Sequence, residues 1–127
     1  MIGVDTNVLI RAILGDDPKQ SPLARRAMEK ARDILVPVTV VIEVAWVLKS
    51  VGWNRTQVHE ALSTLAMQPT VHIDRAAEVL AALEAFKEGP ADFADYLVLF
   101  QAKSLGAQKL LTFDRKLAKA PGAERLM

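Results

Sequence analysis

The chain has 127 residues and a mass of 13.9 kDa, so we expect residues 1–127 to form a single domain. Hydrophobic residues make up 51% of the chain and charged residues 24%, which excludes wholesale disorder. Cysteine is absent, which excludes disulfide frameworks, thiolate zinc sites and cysteine nucleophiles. The net charge of +1 does not by itself indicate a partner.

The sequence carries no sign of membrane insertion or export. Its longest apolar run, 34–42, is shorter than the roughly 20 residues of a membrane-spanning helix. The first residues include neither a basic leader nor a small-residue cleavage site. We therefore expect a cytoplasmic protein that makes no contact with a membrane.

Short apolar strands alternate with helices along the chain. The apolar spacing predicts strands at 2–4, 34–38, 71–73 and 110–113. It predicts helices at 8–14, 21–32, 54–67, 75–87 and 92–104, and a short basic helix or tail at the end of the chain. Segment 39–51 begins with β-branched residues, but its later apolar spacing favours a helix ending near Gly52. This alternation predicts an α/β fold with a mainly parallel sheet covered on both faces.

Several helix starts carry recognisable capping residues. Ser21 stands before Pro22, Asn54 precedes Gln57 as in a capping box, and Asp74 precedes the helix that ends near 87. The helix at 92–104 is apolar nearly all round, so we expect it to be buried. We also expect the aromatic residues to belong to the core and not to stack on bases, namely Trp46, Trp53, Phe86, Phe93 and Phe100.

Acidic residues occupy unusual places in this pattern. Asp5 follows the first predicted strand and Asp114 follows the last. In open parallel sheets, ligands bind beyond the carboxyl ends of the strands. Glu43 and Asp95 lie inside apolar segments, where an ionised carboxylate without a partner is costly. Asp92 lies one helical turn before Asp95, on the same face.

Carboxylates that converge without histidine form a hard-oxygen site, which suits Mg²⁺ or Mn²⁺ and not zinc or copper. A bound cation also allows neighbouring carboxylates to stay ionised. Structural roles remain open at this point. Asp5, Asp92 and Asp114 can each cap a following helix, and Glu43 and Asp95 can each form a buried salt bridge with an arginine.

Four segments of the sequence resemble those of a PIN domain. They are residues 4–9 (VDTNVL), 43–44 (EV), 91–97 (ADFADYL) and 111–114 (LTFD). The four occur in order, and the resemblance covers essentially the whole chain. Within this family the chain is most similar to the VapC toxins of prokaryotic toxin–antitoxin pairs.

The resemblance implies a three-layer α/β/α sandwich with a central, mainly parallel sheet. It also implies a metal-dependent endoribonuclease acting on single-stranded or structured RNA, a homodimer and a cognate antitoxin. The family's acidic quartet matches Asp5, Glu43, Asp95 and Asp114, and Asp92 matches a position that is often acidic. Tyr96 stands where many relatives have a small residue, and we expect it to narrow the cleft.

Phosphodiester hydrolysis requires a neutralised phosphate, an activated water and a stabilised leaving oxygen. One or two Mg²⁺ or Mn²⁺ ions held by carboxylates supply all three. We expect Asp5 and Asp95 to hold the principal ion, with Glu43 orienting or deprotonating the attacking water. Asp114 would complete the metal shell or a second metal site.

We expect polar and basic side chains to contact the RNA. Asn7 matches a frequent polar neighbour of the family's first aspartate, and either Asn7 or Thr6 would hydrogen-bond a metal-bound water or a phosphate oxygen. The candidates for contacts with the phosphate backbone are Arg11, Arg25, Arg26, Arg115 and Lys116.

Three other functions remain open. A non-catalytic PIN-like scaffold would bind RNA or a protein without cutting, although such a scaffold would usually have lost part of the quartet. A haloacid-dehalogenase-like phosphotransferase would need a second aspartate where this chain has Asn7. A receiver domain would need an acceptor aspartate after a middle strand, and Asp74 is better explained there as a helix cap.

Overall fold

The computed structural model describes residues 1–127 and contains six α-helices with parallel strand pairing, which confirms the predicted α/β class. The chain divides into two compact units, Met1–Ala76 and Ala77–Met127. The first unit contains a three-stranded sheet and the second a two-stranded sheet. None of the helices has the length and apolar character required to cross a bilayer.

The first unit is built from three strands and four helices. In chain order they are β1 (Ile2–Gly3), α1 (Thr6–Leu14), α2 (Gln20–Lys30), β2 (Ile34–Val36), α3 (Val38–Ser50), α4 (Arg55–Met67) and β3 (Val71–Ile73). The strand order is β1-β2-β3, and both pairings are parallel. Two helices connect each pair of neighbouring strands. The end of β1 therefore leads directly into α1, and the end of β2 leads into α3.

The ambiguous segment after β2 is a helix. The buried residues of α3 follow helical spacing and are Val40, Val41, Val44, Ala45 and Leu48. Three of them are β-branched, which weakly disfavours a helix. Burial of one continuous apolar face outweighs that preference, because each fully buried aliphatic side chain contributes about 1.5–3 kcal/mol.

Two of the predicted caps were wrong. At the start of α2, Oδ1 of Asp17 accepts hydrogen bonds from the backbone N–H groups of Lys19 and Gln20, at 2.9 and 2.7 Å. Ser21 is buried inside the helix, and its hydroxyl accepts from the N–H of Asp17. Asp17 and Ser21 thus each accept a hydrogen bond from backbone N–H groups at the start of α2, and it is Asp17 that caps the N–H groups of Lys19 and Gln20.

The side chain of Asp74 hydrogen-bonds to α3 and not to the helix that follows it. Its Oδ2 accepts from the N–H of Val38 at 3.5 Å, at the beginning of α3. The predicted capping box before α4 is confirmed. The side chain of Asn54 accepts from the N–H of Gln57, and the side chain of Gln57 accepts from the N–H of Asn54.

The second unit contains α5 (Ala76–Glu88), α6 (Phe93–Ser104), β4 (Leu110–Thr112), a short 3₁₀ helix (Leu117–Lys119) and β5 (Ala123–Arg125). The strands β4 and β5 pair in parallel, with Leu110 opposite Ala123. The sequence pattern had indicated a basic helix or tail in place of β5. The helix α6 is not buried all round, because Val98 is 50% exposed while Tyr96 and Leu97 are buried.

Candidate functional site

Asp5 lies at the point where β1 gives way to α1. It is the N-cap residue of α1, and its Oδ1 accepts a hydrogen bond of 3.1 Å from the N–H of Val8. The side chain is exposed, and its second carboxylate oxygen accepts no hydrogen bond from the protein. The capping role foreseen for Asp5 is therefore present, and it leaves one oxygen open to a ligand.

Glu43 is exposed, which corrects the expectation of a buried carboxylate. Successive residues of a helix point about 100° apart, so the apolar neighbours of Glu43 in the sequence face other directions. Glu43 shares the solvent face of α3 with Thr39, Trp46 and Ser50, all of which are exposed. A buried salt bridge to an arginine is excluded for this residue.

Thr6 connects the first two acidic positions. Its hydroxyl donates a hydrogen bond of 3.2 Å to Oε2 of Glu43, and Thr6 directly follows Asp5 in the chain. The first unit therefore brings the region of Asp5 and the side chain of Glu43 together. A hydroxyl has one hydrogen, and in this arrangement Glu43 receives it. Thr6 can accept from a water there, but it cannot also donate to a phosphate oxygen.

Gln20 is a residue of this region that the sequence reasoning missed. Its Oε1 accepts hydrogen bonds from Nδ2 of Asn7, at 3.4 Å, and from Nε of Arg11, at 2.9 Å. Arg11 also forms an ion pair with Asp16 at 3.1 Å. No local pattern marks Gln20, because its contacts arise only when α2 packs against α1. Asn7 and Arg11 are thus both oriented by the start of α2.

The basic residues of α2 differ in their contacts. Nε of Arg25 donates a hydrogen bond of 2.9 Å to the backbone oxygen of Ala12, in the last turn of α1. The guanidinium of Arg25 lies over Gly15, the left-handed C-cap of the same helix. Arg26 is exposed. Arg25 therefore stabilises the end of α1, and Arg26 is the better candidate for a phosphate contact.

The start of α6 carries two acids of the second unit. Asp92 is the N-cap residue, although its side chain makes no capping hydrogen bond. Asp95 is half-buried in the first turn, where the helix dipole favours a negative charge. Tyr96 is buried, and its hydroxyl accepts a hydrogen bond of 3.2 Å from the N–H of Ala91. Tyr96 thus stabilises the turn before α6, which corrects the expectation that it lies in a cleft.

Asp114 follows β4 and is exposed. Its Oδ1 accepts hydrogen bonds from the N–H groups of Lys116 and Leu117, at 2.8 and 2.9 Å. These contacts organise the turn into the 3₁₀ helix, so a structural role for Asp114 is present as foreseen. Arg115 and Lys116 are both exposed next to it.

The side-chain oxygens of the four quartet acids are of the chemical type that binds a hard divalent cation. All are carboxylate oxygens, and three of the four quartet acids face solvent: Asp5, Glu43 and Asp114. In neither unit do three or more aspartate, glutamate or histidine side chains form a group that could hold a metal ion. The arrangement of the four acids around one ion stays a prediction.

Two known proteins are similar to this chain over nearly its full length. The VapC ribonuclease of Aquifex aeolicus is 22% identical over 120 residues, which cover 91% of this chain and 89% of that protein. The crystal structure of VapC20 from Mycobacterium tuberculosis, a toxin that cleaves the sarcin–ricin loop, is 20% identical. That alignment covers 98% of each chain with a TM-score of 0.49.

The sequence model of the PIN domain matches residues 2–123. The matched region begins in β1, includes all four segments that carry the resemblance, and ends at the first residue of β5. A match from the first strand to the last confirms the family predicted from the sequence, and this chain belongs to the PIN domain family.

Proposed function

We propose that this protein is a metal-dependent endoribonuclease and the toxin of a toxin–antitoxin pair. Membership of the PIN family and the similarity to a VapC ribonuclease support hydrolysis of RNA phosphodiester bonds. Within the chain, the hydrogen bond from Thr6 to Glu43 carries the proposal, because it holds Glu43 against the residue that directly follows Asp5. Membership of the PIN family also places the chain outside the haloacid-dehalogenase and receiver families.

A bound Mg²⁺ or Mn²⁺ would neutralise the phosphate and make a water molecule acidic enough to attack it. We assign Asp5 and Asp95 as the principal ligands, Asp114 as a further ligand and Asp92 as an additional acid near the site. Asp5 has one carboxylate oxygen without a hydrogen bond from the protein. This is the atom that we expect to face the ion.

Glu43 is the proposed group that orients or deprotonates the attacking water. Its side chain is exposed, and Thr6 holds one of its oxygens. The other oxygen accepts no hydrogen bond from the protein and is free to take a proton from a water molecule. Thr6 is a positioning residue in this mechanism, because it acts through Glu43.

RNA would be bound through the phosphate backbone. Arg26, Arg115 and Lys116 are exposed cations, and Asn7 presents an amide whose orientation is set by Gln20. Arg11 already contacts Gln20 and Asp16, so we assign it a role in positioning the start of α2 in addition to an RNA contact. Because backbone contacts release counterions, binding would weaken steeply as salt concentration rises.

The protein would have two macromolecular partners besides RNA. A toxin of this class has a cognate antitoxin, and we propose that a second copy of the chain forms a homodimer. We also propose that the protein acts in the cytoplasm. Light scattering on the purified protein would test the dimer directly.

An RNA-binding scaffold without catalysis is the second candidate. One observation favours it: Asp5 and Asp114 each hydrogen-bond backbone N–H groups as helix-capping residues do, so both have a structural role without any metal. The scaffold would bind RNA equally well with and without a divalent ion.

The deciding experiment is cleavage of a labelled single-stranded RNA in Mg²⁺, in Mn²⁺ and in EDTA, with Asp95→Asn as the matched variant. We expect cleavage only with a metal and only by the wild-type chain. RNA binding without cleavage in any metal, by well-folded protein free of antitoxin, would favour the scaffold. Equal cleavage by Asp95→Asn would remove Asp95 from the site.

A further inference from the structure

The aromatic side chains of this protein fall into two groups by exposure. The chain has seven of them: two tryptophans, one tyrosine and four phenylalanines. Five are buried or half-buried, and two are exposed, Trp46 at 69% and Phe113 at 66%. The expectation that Trp46 belongs to the core was therefore wrong. An indole and a phenyl ring in water are costly unless something covers them.

Each exposed ring adjoins a different proposed acid. Trp46 lies three residues after Glu43 in α3, so it stands one turn further along the same solvent face. Phe113 directly precedes Asp114 at the end of β4. The placement of the first ring is fixed by the periodicity of α3, and that of the second by the strand end. The two observations come from separate units of the structure and are independent.

Positive charge lies near both rings in the sequence. Lys49 is exposed three residues after Trp46, again one turn along α3. Arg115 and Lys116 are exposed two and three residues after Phe113. A flat aromatic surface beside a cation is the combination that binds single-stranded nucleic acids, in which bases stack on rings while phosphates meet the charge. The exposed leucines of the chain, such as Leu23 and Leu105, have no flat ring to offer a base.

We infer that Trp46 and Phe113 each stack on a nucleobase of single-stranded RNA, Trp46 beside Glu43 in the first unit and Phe113 beside Asp114 in the second. The inference rests on the proposed ribonuclease function and names the groups that hold the substrate. Both are positioning residues, since neither contacts the reacting atoms. Stacking is tolerant of sequence, because every base has a π-face. These contacts would therefore select unpaired strands and would not select particular base sequences.

The first test isolates Trp46 as a fluorophore. The chain has two tryptophans, so Trp53→Phe leaves Trp46 as the only one. This variant is titrated in EDTA, which prevents cleavage, with a short single-stranded RNA and with a strand of the same length whose bases are removed. We expect quenching by the first strand only. Absence of quenching in a protein that binds and cleaves RNA would overturn the inference while leaving the ribonuclease intact.

The second test compares the shape of the side chain. We expect Trp46→Ala and Phe113→Ala each to raise Kd for single-stranded RNA by roughly tenfold or more, and to leave Kd for the base-free strand unchanged. Trp46→Phe should retain most of the affinity, whereas Trp46→Leu, which stays apolar, should behave like alanine. The controls Leu23→Ala and Leu105→Ala remove exposed apolar surface that does not adjoin any proposed acid in the sequence, and they should bind like the wild type.

Three results would contradict the inference. Unchanged affinity in either alanine variant would remove that ring from the RNA site. Equal losses on the intact and base-free strands would show that stacking is not the cause. A variant that changes the oligomeric state in light scattering but binds RNA normally would mean that its ring contacts a second copy of the chain. If the wild type neither binds nor cleaves RNA, the proposed function fails and the stacking role fails with it.

Discussion

The hydroxyl of Thr6 lies 3.2 Å from Oε2 of Glu43 and donates to it, which joins the first turn of α1 to the solvent face of α3. Glu43 is exposed, so few packing contacts restrict its rotamers. The hydrogen bond therefore sets the direction of a carboxylate that would otherwise sample several rotamers.

Removing the Thr6 hydroxyl should weaken catalysis without unfolding the protein. Partners that orient a metal-site or catalytic carboxylate are typically worth about 10- to 100-fold in metal affinity or activity. We expect Thr6→Val to lower RNA cleavage by about that factor, and Thr6→Ser, which keeps the hydroxyl, to retain it. Rates for both variants at several Mn²⁺ concentrations test this, with Tm as the control. Equal rates for valine and serine would show that the hydroxyl does not position Glu43.

Two substitutions at Asp5 separate its capping role from its proposed role at the metal. Asparagine caps a helix as well as aspartate does, but it has lost the charge. We expect Asp5→Asn to keep the stability of the wild type and Asp5→Ala to lose about 1 kcal/mol in the free energy of unfolding. Both should abolish cleavage. Denaturant unfolding and cleavage assays on both variants measure the two roles separately. An active Asp5→Asn would show that capping is the only role of Asp5.

The neighbouring residues Arg25 and Arg26 of α2 should contribute to different properties, Arg25 to the stability of the fold and Arg26 to RNA binding. Arg25 donates to the carbonyl of Ala12 at the end of α1, so Arg25→Ala should lower the free energy of unfolding by about 1 kcal/mol. Arg26 is exposed, so Arg26→Ala should stay within about 0.5 kcal/mol of the wild type.

RNA binding should depend on Arg26 and not on Arg25. We expect Arg26→Ala to reduce the slope of log K against log salt by about 1, as the loss of one phosphate contact does. A reduced slope for Arg25→Ala and a normal slope for Arg26→Ala would reverse the assignment of the two side chains.

Asp17 should make the stability of the protein depend on pH in the acid range. Hydrogen bonds from the backbone N–H groups of Gln20 and, to a smaller extent, Lys19 hold the pKa of Asp17 below the ordinary value for an aspartate. A group whose pKa is lowered by folding stabilises the folded state at every pH above its unfolded pKa. That contribution is lost as pH falls from the unfolded pKa through the folded one.

The measurement is the urea midpoint of the wild type and of Asp17→Asn at a series of pH values below about 5. Asparagine keeps the capping oxygen but cannot titrate, so the difference between the two proteins should shrink as pH falls. A difference that is constant across the series would show that the charge of Asp17 does not contribute.

The fold class was predictable because burial imposes a period on the sequence. The helix α4 has both its apolar spacing and its capping box in consecutive residues, and the structure confirms both. The strand β5 was missed because Ala123, Glu124 and Arg125 carry no apolar run. Pairing with β4, and not local preference, makes that segment a strand.

The acidic residues could be found from sequence, but their surroundings could not. The neighbours of Glu43 in the chain are apolar, yet Glu43 lies on the face of α3 whose residues are exposed, so its side chain meets solvent. Gln20 and Thr6 take their partners from other helices, so no spacing rule along one element predicts them. The sequence likewise does not show that Asp17, and not Ser21, caps the start of α2, because the turn there is held by hydrogen bonds to both side chains.

The hydrogen bonds to Asp5 and Glu43 also bear on which ion this protein prefers. Each carboxylate already accepts from Val8 or Thr6 through one oxygen, so each offers its other oxygen to a cation most readily. Ca²⁺ gathers six to eight oxygens and often takes both from a single carboxylate, whereas Mg²⁺ keeps several waters and accepts one oxygen from each ligand. We therefore expect the contacts that hold α1 and α3 in place to favour Mg²⁺ over Ca²⁺ as well, without any extra ligand residue.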